Sequence, residues 1–391
     1  MDYKKIGQLL QFEGKFEPHL EQIINNAIHI PSPQVASIID KPDPFHMVFL
    51  GGSITMGYRT GGVLSESFPK LTADCIKTLY PGKTIEYQNL GYSSYNSHLG
   101  LLTAAKEAQE DNNCFTPAPD LICVEFAVND SFELEGVLSF ESLLYHLMKR
   151  YPDARLVIIN AVNKEDYTCE PFMKELAVLS QIPTISMKDA LKEMESVGLS
   201  WADYSNDLVH PDENGHKLIA ACLLTLLIKG FQKPVPGPVT YGNTFMNTRF
   251  YDASNPPDKL QTTGFTPGTS HERFLTGWSY SGKQDTTPSM QTDTTKNKKQ
   301  PPSISFSFDG SYLYLIYLQH SIQELYGVVS VEIDGVARLK LNGYSIFSWG
   351  NPSVQLINGL SMTSHEVRIS ILPSDIKKSF SLLGLGFSSK E

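Results

Sequence analysis

Between residues 46 and 230, short apolar runs alternate with helix-patterned stretches, and few architectures accommodate that alternation. The runs fall at 46–50, 84–90, 121–126, 156–160 and 182–185. Helical patterns lie between them at 69–80, 99–109, 140–151, 170–181 and 188–197, closed by 213–229. Strand–helix alternation at this spacing predicts βαβ units: a parallel sheet covered by helices on both faces. Ligands of such sheets sit outside the carboxyl ends of the strands, so the residues that follow each strand are the place to look for chemistry.

The pattern breaks after 230. Pro234, Pro236, Gly237 and Pro238 follow a helix directly, and 231–238 reads as an interdomain linker. Beyond it the hydrophobic period falls to two, at 303–308, 312–318, 328–333 and 366–372, with Asp309-Gly310 and Asp334-Gly335 supplying turn chemistry. Residues 239–391 are therefore expected to form an all-β sandwich, with 281–302, polar and rich in Thr, Lys and Gln, as a mobile loop. Residues 1–45 read as a preamble with a helix at 18–27 and a Pro-rich stretch at 30–33. Two domains suit a chain of 391 residues.

Charge narrows the partners. A formal net charge of −10 argues against a nucleic-acid backbone or an anionic membrane, whereas neutral ligands such as carbohydrate remain open. The longest apolar run, 218–228, is short of the ~20 residues that a membrane span needs. The first residues are interrupted by polar and charged side chains, so no signal peptide is expected. Cys75, Cys114, Cys123, Cys169 and Cys222 are odd in number and form no CxxC pair, which indicates neither a disulfide framework nor a zinc site. These features favour a reducing cytoplasm.

The first apolar run stops at Gly51-Gly52-Ser53-Ile54-Thr55, as a buried strand does when it delivers one hydroxyl to the end of a sheet. Ser53 is the candidate nucleophile, and a serine needs a base to take its proton. Gly91 ends the second strand in Asn89-Leu90-Gly91, and Asn129 follows the third in Val128-Asn129-Asp130. Asp207-Leu208-Val209-His210-Pro211 stands before the last helix. His210 is placed to take the Ser53 proton, with Asp207 fixing its tautomer. The amides of Ser53 and Gly91 and the Asn129 side chain would hold an oxyanion.

Each motif alone has a plainer reading. GGS is commonly a tight turn, Asn-Asp a helix cap, and DxxH a helix start with Pro211 as first helical residue. A phosphate loop is disfavoured because no Gly-Lys-Ser/Thr follows. His216, one turn into the last helix, reads as structural. It is the order of the four motifs, each at a strand end, that favours chemistry.

On these residues the chain resembles the SGNH subgroup of the GDSL esterase/lipase superfamily, named for a Ser, a Gly, an Asn and a His in four motifs. Ser53 in Gly-Gly-Ser-Ile-Thr, Gly91 in Asn-Leu-Gly, Asn129 in Val-Asn-Asp and His210 in Asp-Leu-Val-His-Pro match them, over roughly 46–230. Gly52 stands where many members carry Asp, and Val128 where many carry Gly; Gly-Gly-Ser variants occur among carbohydrate esterases of the group. The resemblance implies a three-layer α/β/α hydrolase domain, a Ser-His-Asp triad and neither metal nor organic cofactor. The later segments Val331-Glu332-Ile333-Asp334-Gly335 and Ser364-His365-Glu366-Val367-Arg368-Ile369 look like jelly-roll modules of carbohydrate acetylesterases. The domain order is similar to that of the family-seventeen carbohydrate esterases, intracellular mannan acetylesterases whose C-terminal domain resembles a family-35 carbohydrate-binding module.

The expected activity is removal of O-acetyl groups from oligosaccharides, with acetylated mannan fragments as substrate. Alternatives are a short-chain lipid esterase or thioesterase with the same triad, or a catalytically silent carbohydrate-binding protein. Trp278 and Trp349 are each either packing residues or sugar platforms. Tyr58 and Arg59 either line the cleft or belong to a surface loop. Asn96 and His98 are weaker candidates. Glu125, inside a buried strand, must be paired or near the site, and the sequence assigns it no role.

Overall fold

The computed structural model describes residues 3–12, 14–33, 35–40, 43–59, 61–107, 115, 117–271, 275–282 and 301–388. The chain divides into two compact units, Met1–Met246 and Asn247–Glu391.

In the first unit the strands are β1 (Ile28–His29), β2 (Phe45–Gly51), β3 (Tyr58–Arg59), β4 (Gly62–Val63), β5 (Ile85–Gly91), β6 (Leu121–Glu125), β7 (Arg155–Asn160) and β8 (Thr184–Ser186). The helices are α1 (Tyr3–Leu9), α2 (Leu20–Ala27), α3 (Ser53–Met56), α4 (Phe68–Leu79), α5 (Ser97–Glu107), α6 (Leu134–Arg150), α7 (Glu170–Leu179), α8 (Met187–Ser196) and α9 (Glu213–Lys229). Six strands form one sheet in the order β1-β8-β7-β6-β2-β5; all neighbours are parallel except β1 with β8. The β3–β4 hairpin stands apart as a small antiparallel pair.

Central β2 is buried at all seven positions, which matches its unbroken apolar sequence, whereas edge strand β5 carries Glu86 and Gln88 and is partly exposed. Helix α9 buries Leu218 through Leu227, so its long apolar run belongs to the core. Among the described residues no helix is long and apolar enough to cross a membrane. The register aligns three strand ends: Gly51 lies opposite Gly91 on one side and Glu125 on the other. This row of three residues is the floor of the site described below.

Two expectations about boundaries are corrected. The segment 1–45 is no loose preamble, because Ile6, Leu10, Phe12, Phe16, Leu20, Ile23 and Ile24 are buried in the core of the first unit, and β1 closes one sheet edge. The proline-rich stretch also stays on this unit. Phe231 is fully buried, the Val235 amide donates to Ser180 O at 2.9 Å, and the amides of Thr240, Tyr241 and Gly242 donate to the Glu141 carboxylate at 2.6–3.1 Å. A buried carboxylate satisfied by three amides ties the chain down, and the boundary moves to 246/247.

The second unit is all-β. Its strands are β9 (Thr248–Tyr251), β10 (Gln261–Thr263), β11 (Thr266–His271), β12 (Leu275–Tyr280), β13 (Ser303–Gly310), β14 (Leu313–His320), β15 (Val328–Ile333), β16 (Val336–Asn342), β17 (Trp349–Ile357), β18 (Thr363–Ile371) and β19 (Phe380–Ser388). One sheet runs β10-β13-β18-β15-β16; the other runs β11-β12-β19-β14-β17, with β9 added on β19. Alternate side chains of both sheets, among them Phe306, Phe308, Leu315, Val331, Ile369 and Leu385, make one shared core. Asp334 and Gly335, both at positive φ, turn β15 into β16 as their sequence predicts. The architecture is the expected parallel α/β domain followed by a β-sandwich. Residues 283–300 of the loop expected at 281–302, and Cys114, lie outside the described residues.

Candidate active site

Ser53 is the first residue of α3, two positions beyond the end of β2. An amide at that position has no acceptor within its own helix and faces outward. The Ser53 Oγ–H donates to His210 Nε2 at 3.0 Å, and His210 Nδ1–H donates to Asp207 Oδ2 at 3.0 Å. Ser53, His210 and Asp207 thus form one continuous hydrogen-bonded chain, with a sequence separation of 157 residues between Ser53 and His210.

The loop before α9 is built to hold that geometry. Asp207 Oδ1 accepts the amides of Val209 and His210 at 2.7 and 2.6 Å, while Oδ2 is left for the ring. The Trp201 indole N–H donates to Asp207 O at 2.7 Å and the Ser205 hydroxyl to His210 O at 2.6 Å. Burial pushes the Asp207 carboxyl up, but the two amides and the imidazole outweigh it and hold it below the ordinary aspartate range. Capping of α9 falls to Asp212, whose Oδ1 accepts the amides of Asn214 and Gly215, so the helix-start reading of Asp207 is set aside. Tyr58 packs edge-on against the His210 ring, centroids 4.7 Å apart.

The oxyanion donors divide. The Asn129 carboxamide lies against Gly52, where a Cβ would overlap its Oδ1. A side chain at Gly52 would require the Asn129 carboxamide to move. Gly91 is corrected. Its amide donates to Asn89 Oδ1 at 2.9 Å, and a Cβ there would overlap the Met56 amide nitrogen. Gly91 lets β5 pass tightly under α3; its N–H is engaged within its own strand end.

The remaining candidates separate cleanly. Arg59 Nη1 pairs with Glu213 Oε1 at 3.1 Å on the surface, at the start of α9. Asn96 Oδ1 accepts the Leu99 amide, a helix-capping contact, and His98 Nδ1 meets Ser139 Oγ at 2.7 Å between α5 and α6. Burial pushes His98 down to about 4 and His216 down to about 3. His216 Nδ1 accepts the Phe68 amide and its ring stacks on Phe68, as a structural histidine. Trp278 is 1% exposed on β12 in the core of the second unit, so it is a packing residue and not a sugar platform. Trp349, at the start of β17, is 74% exposed, next to an equally open Phe347.

No protein-family model matches the sequence, and no curated protein matches it. Solved structures do. A two-domain esterase active on acetylated mannans superposes with a TM-score of 0.75 at 20% identity, covering 94% of this chain and 99% of its own. The form of such an esterase co-crystallised with mannopentaose gives 0.74 at 19%, over 94% and 98%. The shared feature is the fold. It spans both units in the same order along the chain.

Two residues that the sequence left without a part stand at the site. Asn89 Nδ2 donates to Thr55 O at 2.8 Å, and Glu125 Oε2 accepts the Thr55 amide and hydroxyl at 3.3 and 3.0 Å. The only prior signal for either was a polar residue in, or at the end of, an apolar strand.

Proposed function

We propose that this chain is a cytoplasmic serine esterase of the SGNH group that removes O-acetyl groups from oligosaccharides, with acetylated mannan or glucomannan fragments as substrate. The observation that carries the reading is the Asp207–His210–Ser53 hydrogen-bonded chain at the carboxyl edge of a parallel sheet. The two-domain fold shared with an esterase active on acetylated mannans supports the substrate class.

Ser53 Oγ attacks the acetyl carbonyl while His210 Nε2 takes its proton. Asp207 holds the ring in the tautomer that leaves Nε2 free and stabilises the imidazolium that forms. The Ser53 amide and the Asn129 side-chain NH₂ hold the oxyanion. His210 returns the proton to the departing sugar hydroxyl; water, activated by the same imidazole, then releases acetate from the acetyl-serine. Tyr58 borders His210 and is assigned to the sugar side of the site. Trp349 is assigned as a platform for sugar rings, since an exposed indole stacks well on their C–H faces.

The test is acetate release from acetylated mannan and from a chromogenic acetyl ester. Ser53→Ala should reduce turnover by about 10⁶. Full activity in that variant removes the mechanism, and preference for octanoyl over acetyl esters removes the substrate.

A further inference from the structure

Beneath the nucleophile lies a carboxyl group that the acyl-transfer steps do not use. Glu125 is the last residue of β6 and is 1% exposed. Its partners come from one place. Oε2 accepts the Thr55 amide and hydroxyl, and its main-chain O accepts the Gly52 amide at 3.2 Å. From the other side Asn89 grips Thr55 O. Gly52 and Thr55 bracket Ser53, so the nucleophile turn is held before and after the reacting residue. Helix α3 has four residues and few internal bonds, of which Met56 N–H to Gly52 O at 3.0 Å and Gly57 N–H to Ser53 O at 3.1 Å are two. So short a helix does not hold its own shape.

We propose that Glu125 is a positioning residue for the nucleophile: through Thr55 it fixes the α3 turn and thereby the Ser53 Oγ–His210 Nε2 hydrogen bond. The inference rests on Ser53 being the acyl nucleophile. The groups facing Glu125 are the Thr55 amide and hydroxyl on α3, the Gly52 amide, Asp130 beyond β6, and Tyr204, whose phenol is itself raised by burial and then by Glu125. None of these is a cation. Burial pushes the Glu125 carboxyl up to about 8; the Thr55 and Gly52 hydrogen bonds work against it, and Asp130 adds to it. At neutral pH Glu125 therefore carries its proton. Above pH 8 it ionises, and a negative charge behind Ser53 opposes the charge that develops on the oxyanion.

The experiment compares the full chain with Glu125→Gln, Glu125→Ala and Thr55→Val. It reads kcat and KM for a chromogenic acetyl ester from pH 6 to 10, and the rate at which a fluorophosphonate labels Ser53. Glu125→Gln keeps an oxygen for Thr55, so kcat at pH 7 should stay within about threefold, and the decline of the parent above pH 8 should vanish. Glu125→Ala should lower kcat and the labelling rate by about 10- to 100-fold, with KM nearly unchanged, as a small misplacement of reacting atoms does. Thr55→Val, which keeps the amide donor, should fall between. A folded Glu125→Ala with parental kcat, or an alkaline limb that persists in Glu125→Gln, overturns the proposal. If Glu125→Ala does not fold, the glutamine and valine variants decide it. A parent chain that is labelled but releases no acetate overturns the substrate reading alone, and the labelling rates still judge Glu125. A parent chain that is not labelled overturns both.

Discussion

Two carboxyl groups stand behind the same serine and are held in opposite ways. Asp207 sits on a loop, its side chain about a quarter exposed, and receives two amides and an imidazole. Three donors outweigh partial burial, and the group is an anion. Glu125 sits at the end of a buried strand with donors from a single side chain and nearby backbone, and burial wins. In the proposed mechanism one carboxylate orients a base and must be charged to do it. The other is proposed to fix a turn, and staying neutral keeps a negative charge away from the oxyanion that Ser53 develops. The balance of donors against desolvation, more than the residue type, assigns the two tasks.

The same chemical change at both positions should separate them most widely. Asp207→Asn keeps the shape but offers His210 Nδ1 the wrong partner, and turnover should fall by ~10⁴, while Glu125→Gln stays close to the parent at pH 7. Similar losses in the two variants, measured on one acetyl ester, would erase the distinction.

Next in size is Asn129, whose carboxamide lies against Gly52. Asn129→Ala removes a proposed oxyanion donor, with an expected loss of about 10²–10³ in kcat. Gly52→Ala acts on the same group indirectly, since its methyl would overlap the Asn129 carboxamide. That side-chain end can swing aside, so the loss should be smaller, roughly tenfold. A Gly52→Ala enzyme with unchanged kcat would show that Asn129 does not hold the oxyanion.

The smallest effect is on stability. The unfolded chain releases the Glu125 proton near the ordinary glutamate value of about 4.3, whereas the folded chain keeps it to about 8. Between these values the folded state binds more protons, so rising pH draws the chain toward unfolding. Glutamine does not ionise. The melting temperature of Glu125→Gln relative to the parent should therefore climb from pH 5 to pH 8, by roughly 3 °C or more. Asp207 has the reverse sign: its depressed carboxyl stabilises the fold above the ordinary aspartate value, and that contribution fades as pH falls below it. A flat difference between variant and parent across pH 5–8 would place Glu125 in a wetter setting than the sheet provides.

Much of the first unit was legible because βαβ structure writes itself locally. The runs at 46–50, 84–90 and 121–126 fall within or at the ends of β2, β5 and β6; Ser53 and Asn129 follow predicted strands, and His210 stands just before the predicted last helix. The helix expected at 18–27 is present as α2, but that α1 and α2 belong to the first unit's core is not legible locally, because helices this short are held by docking their apolar faces. The hold of the proline-rich stretch on the first unit is not legible locally, because it comes from Glu141, about a hundred residues away. Trp278 and Trp349 looked alike as turn-flanking indoles; the sandwich buried one and left the other in solvent.

The sequence by itself determined the strand–helix alternation, the switch to period two after the prolines, and the residue types able to do acyl transfer. Hydrophobic period and turn chemistry are properties of neighbouring residues, and any reader of the chain has them. Only the tertiary structure decided which amide is engaged and which carboxyl is charged. Gly91 gives its N–H to Asn89, and Glu125 meets Thr55 across seventy residues of sequence. Those outcomes depend on strand register and on depth below the surface, which are set when β2, β5 and β6 align and no local stretch of sequence contains them.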